Sequence, residues 1–156
     1  MNTRQATSVD ALLLSNLSMD VQRLHAEHHP DLFKMPQSEG YAISFFEGLL
    51  ADPSVNIFFV EENGAAAGYI VCLLVERPEN QFRYATRYLH VDQISVRPDA
   101  QGKGAGKALI KQAEALAREL NVGRIHLDSW GFNTGAHTFF EKMGFEKFNH
   151  RFWKEP

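Results

Sequence analysis

Apolar and polar residues change their period several times along the chain, and each change marks an element. Leu12, Leu13, Leu17, Val21 and Leu24 recur at three- and four-residue spacing, the pattern of a helix with one buried stripe. Ser8 stands before this run as a cap and Pro30 stops it, so the spacing predicts a helix up to about His28. Residues 3–7 ahead of it read as a short strand. Helical spacing returns in Tyr41, Phe45, Phe46, Leu49 and Leu50, which predicts a second helix over residues 38–50. Between the two helices, residues 31–37 carry Leu32 and Phe33 between Pro30 and Pro36 and read as an irregular apolar loop.

The elements that follow are strands. Residues 55–61 and 66–75 are predicted to pair as a hairpin, because Asn63-Gly64 between them supplies two residues that tolerate positive φ. Gly68 inside the second run marks a bulge or a close backbone approach. Residues 78–87 are polar and read as a mobile connection to a third strand over residues 88–96. A helix over residues 105–120, a strand over 124–128, a helix over 133–143 and a last strand over 145–153 complete the order. It predicts one α/β domain over residues 1–156, with a mixed central sheet flanked by helices.

Composition narrows the function classes. A chain of 156 residues that is 44% hydrophobic can bury a real core. Sixteen basic against nineteen acidic residues, a net charge of -3, give no reason to expect nucleic acid as a partner. No segment reads as a signal peptide or a membrane span, so a cytoplasmic location is expected, with no membrane partner. Cys72, the only cysteine, lies in an apolar run and reads as a small buried hydrophobe.

Chemistry concentrates after the strand that ends at Val96. Arg97-Pro98-Asp99 turns the chain, and Gln101-Gly102-Lys103-Gly104-Ala105-Gly106-Lys107 leads into the helix that follows. Glycine lets a backbone come close to an anion, and the first N–H groups of a helix have no intrahelical partner. The spacing is not that of a Walker loop, since Gln101 stands where its first glycine is needed and Ala108 where Ser or Thr is needed. A dinucleotide fingerprint fails as well, its third glycine falling on Lys107 or Leu109. What fits is Gln/Arg-x-x-Gly-x-Gly, filled by Gln101, Gly104 and Gly106. Downstream, Asn133, Ala136, Phe139, Phe140, Glu141, Lys142, Gly144 and Phe145 match Asn-x-x-Ala-x-x-Phe-Tyr-Glu-Lys-x-Gly-Phe except at Phe140. On these two motifs the chain resembles the GCN5-related N-acetyltransferases, the GNAT family.

The resemblance implies a single GNAT-like domain that binds acetyl-coenzyme A as cosubstrate and acetylates an amine acceptor. Gln101, Gly102, Lys103, Gly104, Ala105, Gly106 and Lys107 would hold the pyrophosphate, while backbone groups around Ile94 and Val96 would hold the pantetheine arm. Asn133 would bond that arm or simply cap its helix. His90 and Asp92, two apart on one strand, share a face of the sheet; either is a candidate base, or both are merely exposed polar residues. His28, Phe33 and Trp130 are expected near the acceptor mouth, with the alternative that Phe33 only pins its loop to the core. Homodimer contacts would complete such a pocket.

Two features bear on the mechanism. His25, His28 and His29 lie three and four apart, but no further ligand cluster accompanies them, so no metal is expected. Phe140, beside the cofactor, replaces the tyrosine that in many members is taken to protonate the leaving thiolate. A thiol pKa of about 8.5 makes that thiolate a tolerable leaving group without a donor. Direct attack in a ternary complex is therefore expected, the alternative being a non-catalytic acetyl-coenzyme A sensor or assembly module.

Overall fold

The computed structural model describes residues 1–156 as one five-stranded sheet with helices on both faces. In chain order the elements are β1 (Asn2–Gln5), α1 (Ala11–Leu17), α2 (Met19–His28), α3 (Ile43–Ala51), β2 (Val55–Glu62), β3 (Ala65–Arg77), β4 (Thr86–Val96), α4 (Ala105–Glu119), β5 (Ile125–Leu127) and α5 (Thr134–Lys142). The strands lie in sequence order. β1 to β4 form an antiparallel meander, and α4 carries the chain over to β5, which pairs parallel to β4. On one face α4 buries Leu109, Ile110, Ala113 and Leu116 against Val60, Ile70, Cys72, Leu89 and Val91. On the other, Leu14 and Phe46 from α1 and α3 cover Phe59, Tyr69 and Val71.

Several boundaries differ from the sequence expectation, each for a local reason. The first helix is interrupted at Ser18, whose hydroxyl donates to the Ser15 carbonyl at 2.8 Å and lies 2.8 Å from the Tyr41 hydroxyl, competing with the backbone ladder. Its start is secured by Thr7 rather than Ser8: Asp10 accepts from the Thr7 N–H at 2.7 Å and from the Thr7 hydroxyl at 3.1 Å. The second helix begins at Ile43, not residue 38, because Gly40 takes φ 73° and gives its N–H to Asn16. Residues 78–85 form a turn held by Asn80, whose side chain accepts from the N–H groups of Phe82 and Arg83. The expected strand over residues 145–153 is absent. β5 offers only three paired residues, and beyond Phe145 no backbone hydrogen bond ties the tail to the domain. No helix is long and apolar enough to cross a membrane.

Gly68 shows both features expected of it. It sits beside a register shift opposite Val60 and Glu61, and a Cβ there would fall 2.4 Å from the Ser95 carbonyl oxygen. A second bulge lies in β4, where Gln93 pairs with Val71 and Val91 with Cys72, leaving Asp92 as the extra residue.

Candidate functional site

Two irregularities build the site, the bulge in β4 and the glycine turn after it. β4 and β5 pair only from Leu89 opposite Ile125 to Val91 opposite Leu127, and beyond that rung they part. Asp92 and Asp128 are thus the first residues of the two arms of a fork. Along its open arm β4 keeps its antiparallel partner β3 on one side and has no strand on the other, so apart from the Val96 carbonyl, which accepts from Gln101, the backbone groups on that side are without a strand partner. Ile94 and Val96 turn their side chains into the core beneath α4, which leaves their main chain as what they present to the fork.

The arm ends in the glycine turn. Gln101 donates its side-chain amide to the Val96 carbonyl at 3.1 Å and so ties the turn to the strand. Gly102 and Gly104 adopt φ 74° and 95°, the left-handed region that an L side chain resists. Gly104 caps α4, and the N–H groups from Gly102 to Lys107 find no acceptor within the protein. They form a continuous run of donors at the positive end of the helix dipole, which suits a polyanion. Ala105 is buried below them. Gly106 acts through packing instead, since a Cβ there would stand 3.0 Å from the Phe139 ring, and its absence lets α4 and α5 approach. Lys103 turns to Glu62 at 3.6 Å rather than standing free, whereas Lys107 is exposed and unpaired.

At the fork, His90 pairs in register with His126 and its Nε2 lies 3.8 Å from Asp128 Oδ2. His126 stacks on Tyr88 at 3.9 Å; burial, then the charges of His90 and Arg124, hold its pKa below the ordinary histidine value. Asp92 is exposed, yet its charge reaches Tyr69, whose fully buried phenol is pushed well up, first by burial, then by Tyr41 and Asp92. Tyr69 donates to Gln93 Oε1 at 2.8 Å. His90 and Asp92 thus lie on the side of the sheet that α1 and α3 cover, and Gln93 joins them there.

Of the remaining expected residues, Asn133 caps α5 and accepts from the Ala136 N–H at 3.2 Å. Phe140 is only 8% exposed, packed in the core with Phe139 and Phe145. His28 and Phe33, five residues apart, and Trp130, far from both in sequence, come together at the end of α2. Phe33 meets Trp130 at 5.1 Å and His25 at 5.1 Å, Trp130 meets His29 at 5.0 Å, and Phe132 lies 4.0 Å from His28. His25 and His28 each give Nδ1–H to a carbonyl, of Val21 and Leu24, because a carbonyl can only accept. No group of histidine, cysteine or carboxylate side chains converges as metal ligands would. Sequence reasoning missed Gln93, His126, Asp128, Phe132 and Trp153. Asp128 and His126 were open to discovery, since a strand parallel to β4 must bring its own end to the fork; Phe132 and Trp153 carry no periodic mark.

Residues 21–145 match the Acetyltransferase (GNAT) family. An uncharacterized N-acetyltransferase of Lactobacillus delbrueckii subsp. lactis is 29% identical over 102 residues, which is 65% of this chain and 58% of that protein. A putative ribosomal protein bS18-alanine N-acetyltransferase of Bacillus subtilis is 24% identical over 103 residues, 66% of this chain and 62% of the relative. The chain thus covers less than two thirds of the length of these relatives. In fold it is similar to a tetramutant of the BH1408 protein of Bacillus halodurans, with a TM-score of 0.89 and 21% identity over 100% of this chain and 99% of the other. With a fork in the sheet, a donor-lined glycine turn at its end and a sequence match through both, the chain belongs to the Acetyltransferase (GNAT) family.

Proposed function

We propose that this protein is an N-acetyltransferase that uses acetyl-coenzyme A and transfers the acetyl group directly to an amine acceptor. The observation that carries the reading is the run of unpaired N–H donors from Gly102 to Lys107, set at the end of a β4 arm whose backbone has no strand partner on one side. The run suits a pyrophosphate, and the open arm suits an amide-bearing chain laid beside it as a strand would be. When bound, acetyl-coenzyme A supplies the thioester carbon that the amine attacks.

The chain's own groups then have defined roles. An alkylamine is mostly protonated near neutral pH and attacks only when neutral, so a group at the fork must take its proton. Asp92 attracts the ammonium form, and His90, with Asp128 at 3.8 Å to steady an imidazolium, takes the proton. Cys72 is excluded as a nucleophile. It is fully buried and burial pushes its thiol up to about 12, so no thiolate is at hand for an acyl-enzyme. Phe140 offers no proton, and solvent serves the departing thiolate.

Calorimetry with acetyl-coenzyme A and a thiol-release assay over a panel of amines test the reading. Saturable binding and amine-dependent thiol release are expected. Absence of any binding would end it, and binding without release from any amine would instead indicate a sensor or assembly module.

A further inference from the structure

A group of aromatic rings at the end of α2 has no part in the transfer chemistry above. His28 lies flat on Phe132, centroids 4.0 Å apart and planes at 7°. His29 is set between Trp130 at 5.0 Å and Trp153 at 5.4 Å, and Phe33 meets Trp130 edge-on at 5.1 Å. Core packing does not account for them, because none of these rings belongs to either buried cluster. Trp130 is 38% and Trp153 71% exposed, so a large aromatic surface stands at the protein's exterior.

Its position is tied to the fork. Trp130 follows Leu127, the last paired residue of β5, by three residues, on the order of 10 Å of extended chain. The polar groups Asp92, Asp128 and His90 are gathered at the fork, and Trp130 stands two residues past Asp128 on the segment that leaves it. The body of an amine held at the fork is thus within short reach of Trp130 and of the rings that meet it. We propose that this clasp receives the body of the acceptor, and that the acceptor is a primary amine carried on a planar aromatic ring, an arylalkylamine in chemical class; the inference rests on the acetyltransferase reading above.

Charge argues for a neutral ring over a second ammonium. His90 with Asp128 is the only histidine–carboxylate pair in the structure, so His28 and His29 have no carboxylate beside them. A second ammonium would find no carboxylate already held against either imidazole. A planar ring stacks offset on Phe132 or edge-on to Trp130, as the protein's own rings already do. His28 occupies the Phe132 face in the closed clasp. It is an exposed side chain held by one hydrogen bond, from Nδ1–H to the Leu24 carbonyl at 2.9 Å, so its rotation uncovers the face.

Both tryptophans of the chain are in the clasp, so intrinsic tryptophan fluorescence reports on it alone. Titration with 2-phenylethanol, which has no amine to acetylate, is expected to give a saturable change. In the thiol-release assay 2-phenylethylamine should exceed hexylamine and 1,4-diaminobutane in kcat/KM by about tenfold, and Phe132→Leu should raise its KM about tenfold while acetyl-coenzyme A affinity holds. His28→Ala should lower that KM, a change opposite in sign to any loss of fold. Equal or better turnover of hexylamine or diaminobutane, or an unchanged KM in Phe132→Leu, would overturn the clasp. Transfer to amines with no response to 2-phenylethanol would overturn it too, leaving the acetyltransferase reading intact. A saturable response with no thiol released from any amine would overturn the acetyltransferase reading, and the clasp's role as acceptor site with it.

Discussion

Gly104 separates a backbone argument from a size argument. Its φ of 95° lies in the left-handed region, and a Cβ built there meets nothing within 4 Å, so any penalty on substitution comes from the backbone alone. Alanine held in that region costs about 1–2 kcal/mol, whereas asparagine, whose side chain bonds locally, tolerates it better. The turn can answer in two ways. If it keeps its shape, stability falls by that amount, roughly 2–8 °C in melting temperature for a domain of this size. If it relaxes to negative φ, the N–H groups from Gly102 to Lys107 no longer converge, and acetyl-coenzyme A affinity falls by about tenfold or more, since each 1.4 kcal/mol is tenfold. Calorimetry of unfolding and of ligand binding on the same variants gives both quantities. The combined penalty is expected to rank Asn below Ala and Ala below Val, although asparagine is larger than alanine. A penalty that follows side-chain size, with alanine milder than asparagine, would refute the reasoning. Gly106→Ala is the contrast: its residue is helical, so a gain of about 1 kcal/mol in helix propensity is set against the 3.0 Å contact with Phe139.

Other outcomes follow from the charged and buried groups. Asp10 pairs with Arg4 at 2.9 Å, and that guanidinium, with Thr7, holds its carboxyl below the ordinary value; Asp10→Asn should cost about 1–2 kcal/mol at pH 7. Because the folded pKa is depressed, this stability is present above about pH 4 and is lost as pH falls through the folded value, so urea melts of wild type and variant should converge at low pH. In pH–rate profiles, His90→Gln or Asp92→Asn should lower the rate most at low pH, where the amine is most protonated, by about a hundredfold for the true base; rates insensitive to both would remove them from the mechanism. Phe140→Tyr should change kcat by less than about tenfold, and a larger gain would show that the natural protein lacks a needed acid. Cys72 should resist alkylation in the native state at pH 8 and react on unfolding, and Cys72→Ala should keep amine-dependent turnover.

What the sequence made legible was local. Asn63-Gly64 sets its own turn, and the spacing of Gln101, Gly104 and Gly106 marks a loop whose shape depends on glycine at two of its positions. Gly40 was legible in principle, since its positive φ delays the second helix by five residues, but the apolar spacing from Tyr41 onward hid it. The tail was not legible. Residues 145–153 have the composition of a strand, yet a strand exists only where a neighbour completes its hydrogen bonds, and β5 is three residues long. His28, Phe33 and Trp130 were expected together at the acceptor mouth, on the family resemblance rather than on any pattern in the chain. That they meet depends on α2 and the segment after β5 reaching the same place, and no periodicity encodes this.

The bulge at Asp92 connects sheet geometry to chemistry. Strict alternation along β4 would put His90 and Asp92 on one face and Gln93 and Ser95 on the other. The core shows a change of parity instead: Leu89 and Val91 point beneath α4, and so do Ile94 and Val96. One extra residue has been inserted between them, at Asp92. Gln93 and Ser95 consequently fall on the side that α1 and α3 cover, where Gln93 accepts from the buried Tyr69 and Ser95 reaches the Leu17 carbonyl at 3.4 Å. The same insertion sits at the rung where β5 leaves β4, and a bulge both bends its strand and increases its twist. A single extra residue thereby helps open the fork and sets His90, Asp92 and Gln93 along one wall of it. Any substitution that removed the bulge would reverse the facing of every β4 side chain from there to Val96 and bury polar groups beneath α4.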